Sequence, residues 1–147
     1  MRLRILLAAV LCAACGRSSD SPTQPSRLPA DITPGTLSAT VTQGPTADVY
    51  AVTVTVREVG GQTGAILRTV PLQFSRGADT VLQATIEDAW PVNRLAAGAT
   101  ASSRVITVRD DRPARVLAER VAITVTYVGD SGTTGAFIAS TPIVPSS

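Results

Sequence analysis

Histidine and lysine are absent from this 147-residue chain, and both of its cysteines fall within the first fifteen positions. These absences remove much of the usual chemistry. A serine becomes nucleophilic only beside a base, normally His or Lys, so Ser–His and Ser–Lys mechanisms are closed. A zinc site draws on Cys and His, and beyond Cys15 the chain offers neither. Aromatic residues are scarce: Tyr50, Phe74, Trp90, Tyr127 and Phe137 are all there are. The one clear apolar run, Ile5 to Ala14, has 10 residues. A helix needs roughly 20 to cross a bilayer, so the run is too short to be a stable span.

What stands around that run is informative. Arg2 and Arg4 precede it, small residues end it, and a polar tract follows. A positive start, a short apolar middle and a small-residue cleavage edge are the parts of a secretory signal. Cys12 and Cys15 are spaced C-x-x-C, but a redox pair of that spacing needs a folded scaffold to depress one thiol pKa. Here the pair lies inside the apolar segment and at its edge.

The residues Ala13-Ala14-Cys15, with Leu11 before them, resemble the lipobox of bacterial lipoproteins. The resemblance implies cleavage before Cys15, a diacylglycerol on its thiol and palmitate-type acyl chains in the membrane. One position departs from the pattern: Cys12 stands where the family usually has Leu or another aliphatic residue. Plain secretion, with a cut near Ala14 and a free cysteine behind it, is the alternative. In the family an Asp after the cysteine often marks retention at the inner membrane. Gly16 stands there in this chain and points to the outer membrane. Each buried methylene contributes about 0.8 kcal/mol, so one acyl chain binds only marginally while two or three hold almost permanently.

Removing residues 1–14 also changes the charge. All thirteen basic residues are Arg, against eleven Asp and Glu; without Arg2 and Arg4 the counts become equal. The basic character belongs to the signal, so it gives no argument for nucleic-acid binding. With Cys15 acylated no disulfide can form, and the remaining domain must stand on its hydrophobic core, which is feasible near 110 residues.

From Gly16 to Asp31 the sequence GRSSDSPTQPSRLPAD is rich in Ser, Pro and charge and cannot build a core. We read 15–31 as the lipidated end and a disordered tether, spanning roughly 20–25 Å or more. Beyond it the texture changes. The chain has 17 Val and 19 Thr, mostly after position 40, and these are β-branched strand formers. In DVYAVTVTVRE (48–58), Tyr50, Val52, Val54 and Val56 alternate with Ala51, Thr53, Thr55 and Arg57. In VAITVTYV (121–128), Val121, Ile123, Val125 and Tyr127 alternate with Thr124 and Thr126. Such alternation marks half-buried strands. Weaker runs at 36–42, 65–74, 80–87, 101–109 and 135–144 complete the set, separated by Gly, Pro and Asp turns. Pro71 and Pro142 predict edge strands or bulges for their runs. The segment 89–101 is ambiguous between a helical turn and a loop, with Pro91 and Gly98 favouring the loop.

Seven strands and no clear helix predict an all-β fold, a single seven-stranded antiparallel β-sandwich over 32–147. Leu95, Gly98 and the strand pair through ITVTYVGDSG resemble fibronectin type III or immunoglobulin-like modules of bacterial surface proteins. The antibody Cys…Trp…Cys pattern is missing, so the resemblance implies a disulfide-free relative.

Three motifs invite chemistry. Gly129-Asp130-Ser131-Gly132 is similar to the serine-protease GDSGG stretch, but no general base accompanies it. Asp130-Ser131-Gly132-Thr133 is similar to the aspartic-protease signature, but only 14 residues follow it, too few for the rest of that fold. Both read more simply as a turn before the last strand. Glu87-Asp88 and Asp110-Asp111 supply oxygen ligands, yet calcium needs six to eight oxygens from several segments. Sugar modules stack ligands on exposed rings. Four of the five aromatics fall on inward faces, which leaves Trp90 as the candidate contact or as a cap on the core.

The expectation is therefore a lipid-anchored envelope protein, held at the membrane through Cys15, with a non-catalytic interaction or structural module and no cofactor, metal or nucleic-acid partner. Its partner would be an envelope protein or glycan. A glycan- or peptide-binding module using Trp90 is the alternative, and a hydrolase working by carboxylates alone a more remote one.

Overall fold

The computed structural model describes residues 29–146. The signal expected over 1–14, the anchor Cys15 and the expected tether as far as residue 28 lie outside the described residues; the last residues assigned to that tether, 29–31, join the sandwich instead, with Ala30 buried in the core and Asp31 bonded to Glu58. From Pro29 onward the chain forms eleven strand segments and, among the described residues, no helix. They are β1 (Ile32–Gln43), β2 (Asp48–Glu58), β3 (Ala65–Leu67), β4 (Val70–Arg76), β5 (Asp79–Ile86), β6 (Arg94–Leu95), β7 (Thr100–Ser102), β8 (Ile106–Asp110), β9 (Arg120–Gly129), β10 (Thr134–Pro142) and β11 (Val144–Pro145).

These segments make two sheets packed face to face, an all-β sandwich. In the first, β1 lies between β11 and β2, and the far side of β2 pairs with β7 and then β8. In the second, β9 lies between β10 on one side and β4 with β3 on the other; β5 flanks β4 and β6 flanks β3. The alternation seen in the sequence sets which residues face inward. Tyr50, Val52, Val54 and Val56 of β2 are at most 1% exposed, and Val121, Ile123 and Val125 of β9 are fully buried. Burial of each such side chain contributes about 1.5–3 kcal/mol. The rings of Tyr50 and Phe74 meet across the core with centroids 4.7 Å apart and planes tilted by 44°.

All seven expected runs carry strand, but three of them divide because the chain changes partners within them. The run 65–74 breaks at Arg68–Thr69, where Leu67 donates to the Asn93 carbonyl and Arg68 to that of Thr126. The run 101–109 breaks where Ser103 donates to the Val54 carbonyl and Arg104 to that of Ala89. The last run breaks at Ile143, which donates to Glu119; β10 belongs to the second sheet, whereas β11 crosses to the first and pairs parallel with β1. The ambiguous segment 89–101 is a loop containing the short β6, with Gly98 in the left-handed region at φ 71°.

Pro142 ends β10, which pairs only with β9 and is an edge strand. Of the two alternatives for the Pro71 strand, an edge position is not what it takes, since β4 is central, between β5 and β9. It is tolerated because it sits one residue after the bend, and the register with β9 begins only at Leu72. A register shift does occur in β4, but further along, between Phe74 and Ser75.

Candidate ligand cleft beside Trp90

The two breaks at Arg68–Thr69 and Ser103–Val105 help to hold the loop that joins β5 to β6. Ala89 accepts from Arg104, and Asn93 accepts from Leu67. Between these fixed points Trp90 turns into the end of the core. It is 6% exposed, and its indole N–H donates to the Arg68 carbonyl at 3.0 Å. The loop and the bend enclose a cleft of about 550 Å³, lined by Leu67, Thr69, Trp90, Pro91 and Val92 among others. Arg68, Glu87, Asp88 and Asn93 give it polar and charged groups. A concavity of this size, part apolar and part polar, is of the kind that takes small ligands. Trp90 forms a wall of it rather than an open stacking surface, because the ring is largely covered.

The other motifs singled out in the sequence lie in turns, in loops and at strand ends. Gly129–Thr133 is a tight turn: Gly132 donates to Gly129, and Gly129 to Thr133. The Asp130 carboxylate accepts from Gly64 N at 3.2 Å and from Arg94 at 2.9 Å, so it joins that turn to the start of β3 and to β6. Ser131 reaches only Thr133. Of the Asp110-Asp111 pair, Asp110 is buried and gripped by Arg112 through two bonds of 2.7 and 2.8 Å, while Asp111 is exposed. Glu87 and Asp88 both lie exposed at the cleft rim. Among the described residues no three His, Cys, Asp or Glu side chains gather as a metal site would need.

Two buried acidic sites were not singled out from the sequence, although β2 announces them. The alternation of its buried face continues at both ends, onto Asp48 and Glu58. They lie about 33 Å apart at the strand rise of 3.3 Å, near opposite poles of the sandwich. Asp48 meets Arg115 at 3.1 Å; the same guanidinium donates to the Gly44 carbonyl at 2.7 Å. Close by, the Tyr50 hydroxyl accepts from Ala118 N at 3.0 Å. Burial raises the Tyr50 pKa; the Ala118 N–H opposes this, and the nearby Asp48 and Asp110 add to it.

At the other pole Glu58 is completely covered. It accepts from the backbone N–H of Gly98 at 2.6 Å, Gly61 at 2.8 Å and Asp31 at 3.3 Å. Burial pushes its pKa up, but the amides of Gly98, Gly61, Asp31 and Gly60 together outweigh burial and hold it below the ordinary value. One carboxylate thus ties together the entry of the chain, the β2–β3 turn and the turn before β7. None of these buried acids lines the cleft.

No known protein-family description matches the chain, and no curated protein matches it significantly. Among solved structures it is similar to a Bordetella pertussis protein carrying the provisional name ApaA, with a TM-score of 0.54 and 16% identity over 80% of this chain and 95% of that one. At that identity the likeness concerns the fold alone.

Proposed function

We propose that the chain is a lipid-anchored protein of the bacterial cell envelope, with Cys15 as its anchor and a non-catalytic interaction or structural domain as its body. The observation that carries the reading is the amino-terminal order Arg2, Arg4, a 10-residue apolar run and Ala13-Ala14-Cys15. Gly16 favours the outer membrane. The described part of the chain agrees with this reading in two ways. The chain enters the sandwich at the Glu58 pole, where Asp31 is bonded to that carboxylate and Val59 donates to the Asp31 carbonyl. A tether attached there leaves the pole of Asp48 and Asp110 facing away from the lipid. The chain also lacks His and Lys, and its buried carboxylates are engaged by arginines or amides. The pairing of β2 with β8 in one sheet and of β4, β9 and β10 in the other supports an immunoglobulin-like arrangement.

The test is fractionation of cells expressing the chain and its Cys15→Ser variant. The parent should sediment with membranes and partition into detergent, and the variant should not. Equal partition of the two would remove the anchor.

A second reading rests on the cleft. A glycan or short peptide lying between Pro91, Val92 and the Arg68–Thr69 bend would touch Trp90, the chain's single tryptophan. Titration of envelope glycans or peptides against Trp90 fluorescence tests it: saturable quenching supports ligand binding, and an unchanged spectrum speaks against it.

A further inference from the structure

The outer face of the second sheet is unlike an ordinary solvent-facing surface. Gln83, Gln73, Ala122 and Ser140 form one row across β5, β4, β9 and β10. The next row towards the Glu58 pole contains Thr85 and Pro71, which are register partners, and Thr124 and Ile138, which are another pair. Beyond it Thr126 faces Ala136. None of these side chains is ionisable, whereas a soluble surface is normally about 25–35% charged. The charged groups nearest these rows border them: Arg120, whose guanidinium donates to Ser140 at 3.3 Å, Arg112 beside Gln83, and Arg68 with the Arg94–Asp130 pair towards the Glu58 pole.

Two features of this face fit each other. Ile138 is 72% exposed, more than any other large apolar side chain among the described residues. Beside it lies a hollow of about 250 Å³ floored by β4 and β9 and bounded by Pro71, Thr85 and Thr124. A single exposed isoleucine is ordinary. An isoleucine projecting next to a depression, among side chains none of which is ionisable and with arginines only at their border, is a knob beside its own hole. A two-fold axis near Thr124 inserts the Ile138 of each copy into the hollow of the other, the self-complementary contact of a symmetric dimer. The area is adequate. β4, β5, β9 and β10 hold 7, 8, 10 and 9 residues; at about 4.8 Å between strands and about 3.3 Å per residue they give roughly 540 Å² in projection. The relief of the side chains raises this towards the roughly 800 Å² per partner of a stable interface. Two such sheets pack face to face at about 10 Å with their strands near −30°.

We propose that the β4–β5–β9–β10 face is a self-association surface whose occupant is a second copy of this chain, with Ile138 as its central contact. The assignment stands apart from the anchor: it needs no lipid, although tethering to one membrane would raise the local concentration of copies.

Sedimentation velocity of the full-length chain in a density-matched mild detergent tests it, with concentration varied. The expected result is a reversible monomer–dimer equilibrium that Ile138→Arg weakens by at least about 30-fold, as burial of an unpaired charge at an interface centre requires. Thr124→Arg, on the wall of the hollow, should act in the same direction. Val144→Arg, an exposed apolar position of the other sheet, should leave the equilibrium unchanged. Thermal melting of each variant checks that the fold is intact. A chain that stays monomeric throughout overturns the proposal, as the face then serves another partner or none. A dimer that survives both face variants, or that Val144→Arg breaks, overturns it too.

Discussion

Asp48 and Asp110 are register partners across β2 and β8, and both carboxylates are buried. Two like charges side by side in a core would repel, yet each has its own arginine: Arg115 for Asp48 and Arg112 for Asp110. Both arginines come from the β8–β9 connection, so this arrangement fastens that long loop to the end of the sandwich. Replacing Arg115 by Met leaves Asp48 buried without its cation and the Gly44 carbonyl without its donor. The expected loss is about 1.5–3 kcal/mol, read as a lower urea midpoint. Arg109→Met, whose ion pair with Asp111 is long and exposed on both sides, should leave the midpoint unchanged. Equal effects would show that the buried pairs are not what holds the loop.

The pH dependence follows from the same groups. Arg112, bonded to Asp110, holds that carboxyl below its usual 3.8 despite burial. Glu58, despite burial, is held by amides below 4.5. A carboxyl whose pKa is lower in the folded than in the unfolded chain adds stability above the unfolded value. That stability is lost as pH falls through the folded value. Melting temperature should therefore be level from about pH 8 to 5.5, because no histidine titrates there, and should fall steeply once pH drops below these carboxyl values. A thermal-melt series across pH measures it; a step near neutrality would contradict the account.

Glu58 also predicts a mutational effect out of proportion to its conservative chemistry. Glu58→Gln keeps the shape but removes the charge that several amides converge on and brings an NH₂ towards them. A loss of about 2–4 kcal/mol is expected, since bonds to charged groups are each worth about 1.5–3. Gly60→Ala attacks the same clasp from outside: its Cβ would stand 2.7 Å from Glu58 Oε1 and 3.1 Å from the Pro29 carbonyl. Amide exchange of Asp31, Gly61 and Gly98 should speed up together in both variants. Separate responses would show that Glu58 does not join the three segments.

Gly135 and Tyr127 offer a cleaner pair. They are register partners on β10 and β9, and the Tyr127 ring lies over the space a Cβ at 135 would fill. Gly135→Ala must push the ring aside, at a cost of about 1 kcal/mol in lost packing. In a Tyr127→Ala background the same change should cost almost nothing. A double-mutant cycle with no coupling would show that the ring is not held there.

Much of the sandwich was legible because its strands alternate cleanly. Tyr50 to Val56 and Val121 to Val125 face inward as their period of two demands, and Thr53, Thr55 and Thr124 face outward. The breaks at Arg68–Thr69 and Ser103–Val105 were not legible. They arise from a change of hydrogen-bond partner at a distance, which leaves no mark in a run of β-formers. The central place of the Pro71 strand was not legible for a related reason, since a proline shortly after such a break needs no ladder bond on its far side. The Trp90 cleft exists only because these breaks position the loop, so its walls could not be assembled from the sequence. The buried acids could have been, since Asp48, Glu58 and Asp110 each extend an apolar alternation by one step.

The location proposed for the protein rests on the anchor, and mass spectrometry of the amino-terminal peptide of the membrane-extracted protein reads that anchor out. The expected peptide begins at Cys15 and carries a diacylglyceryl group on its sulfur. A peptide with a free thiol at Cys15, or one that still runs back to Met1, would contradict it.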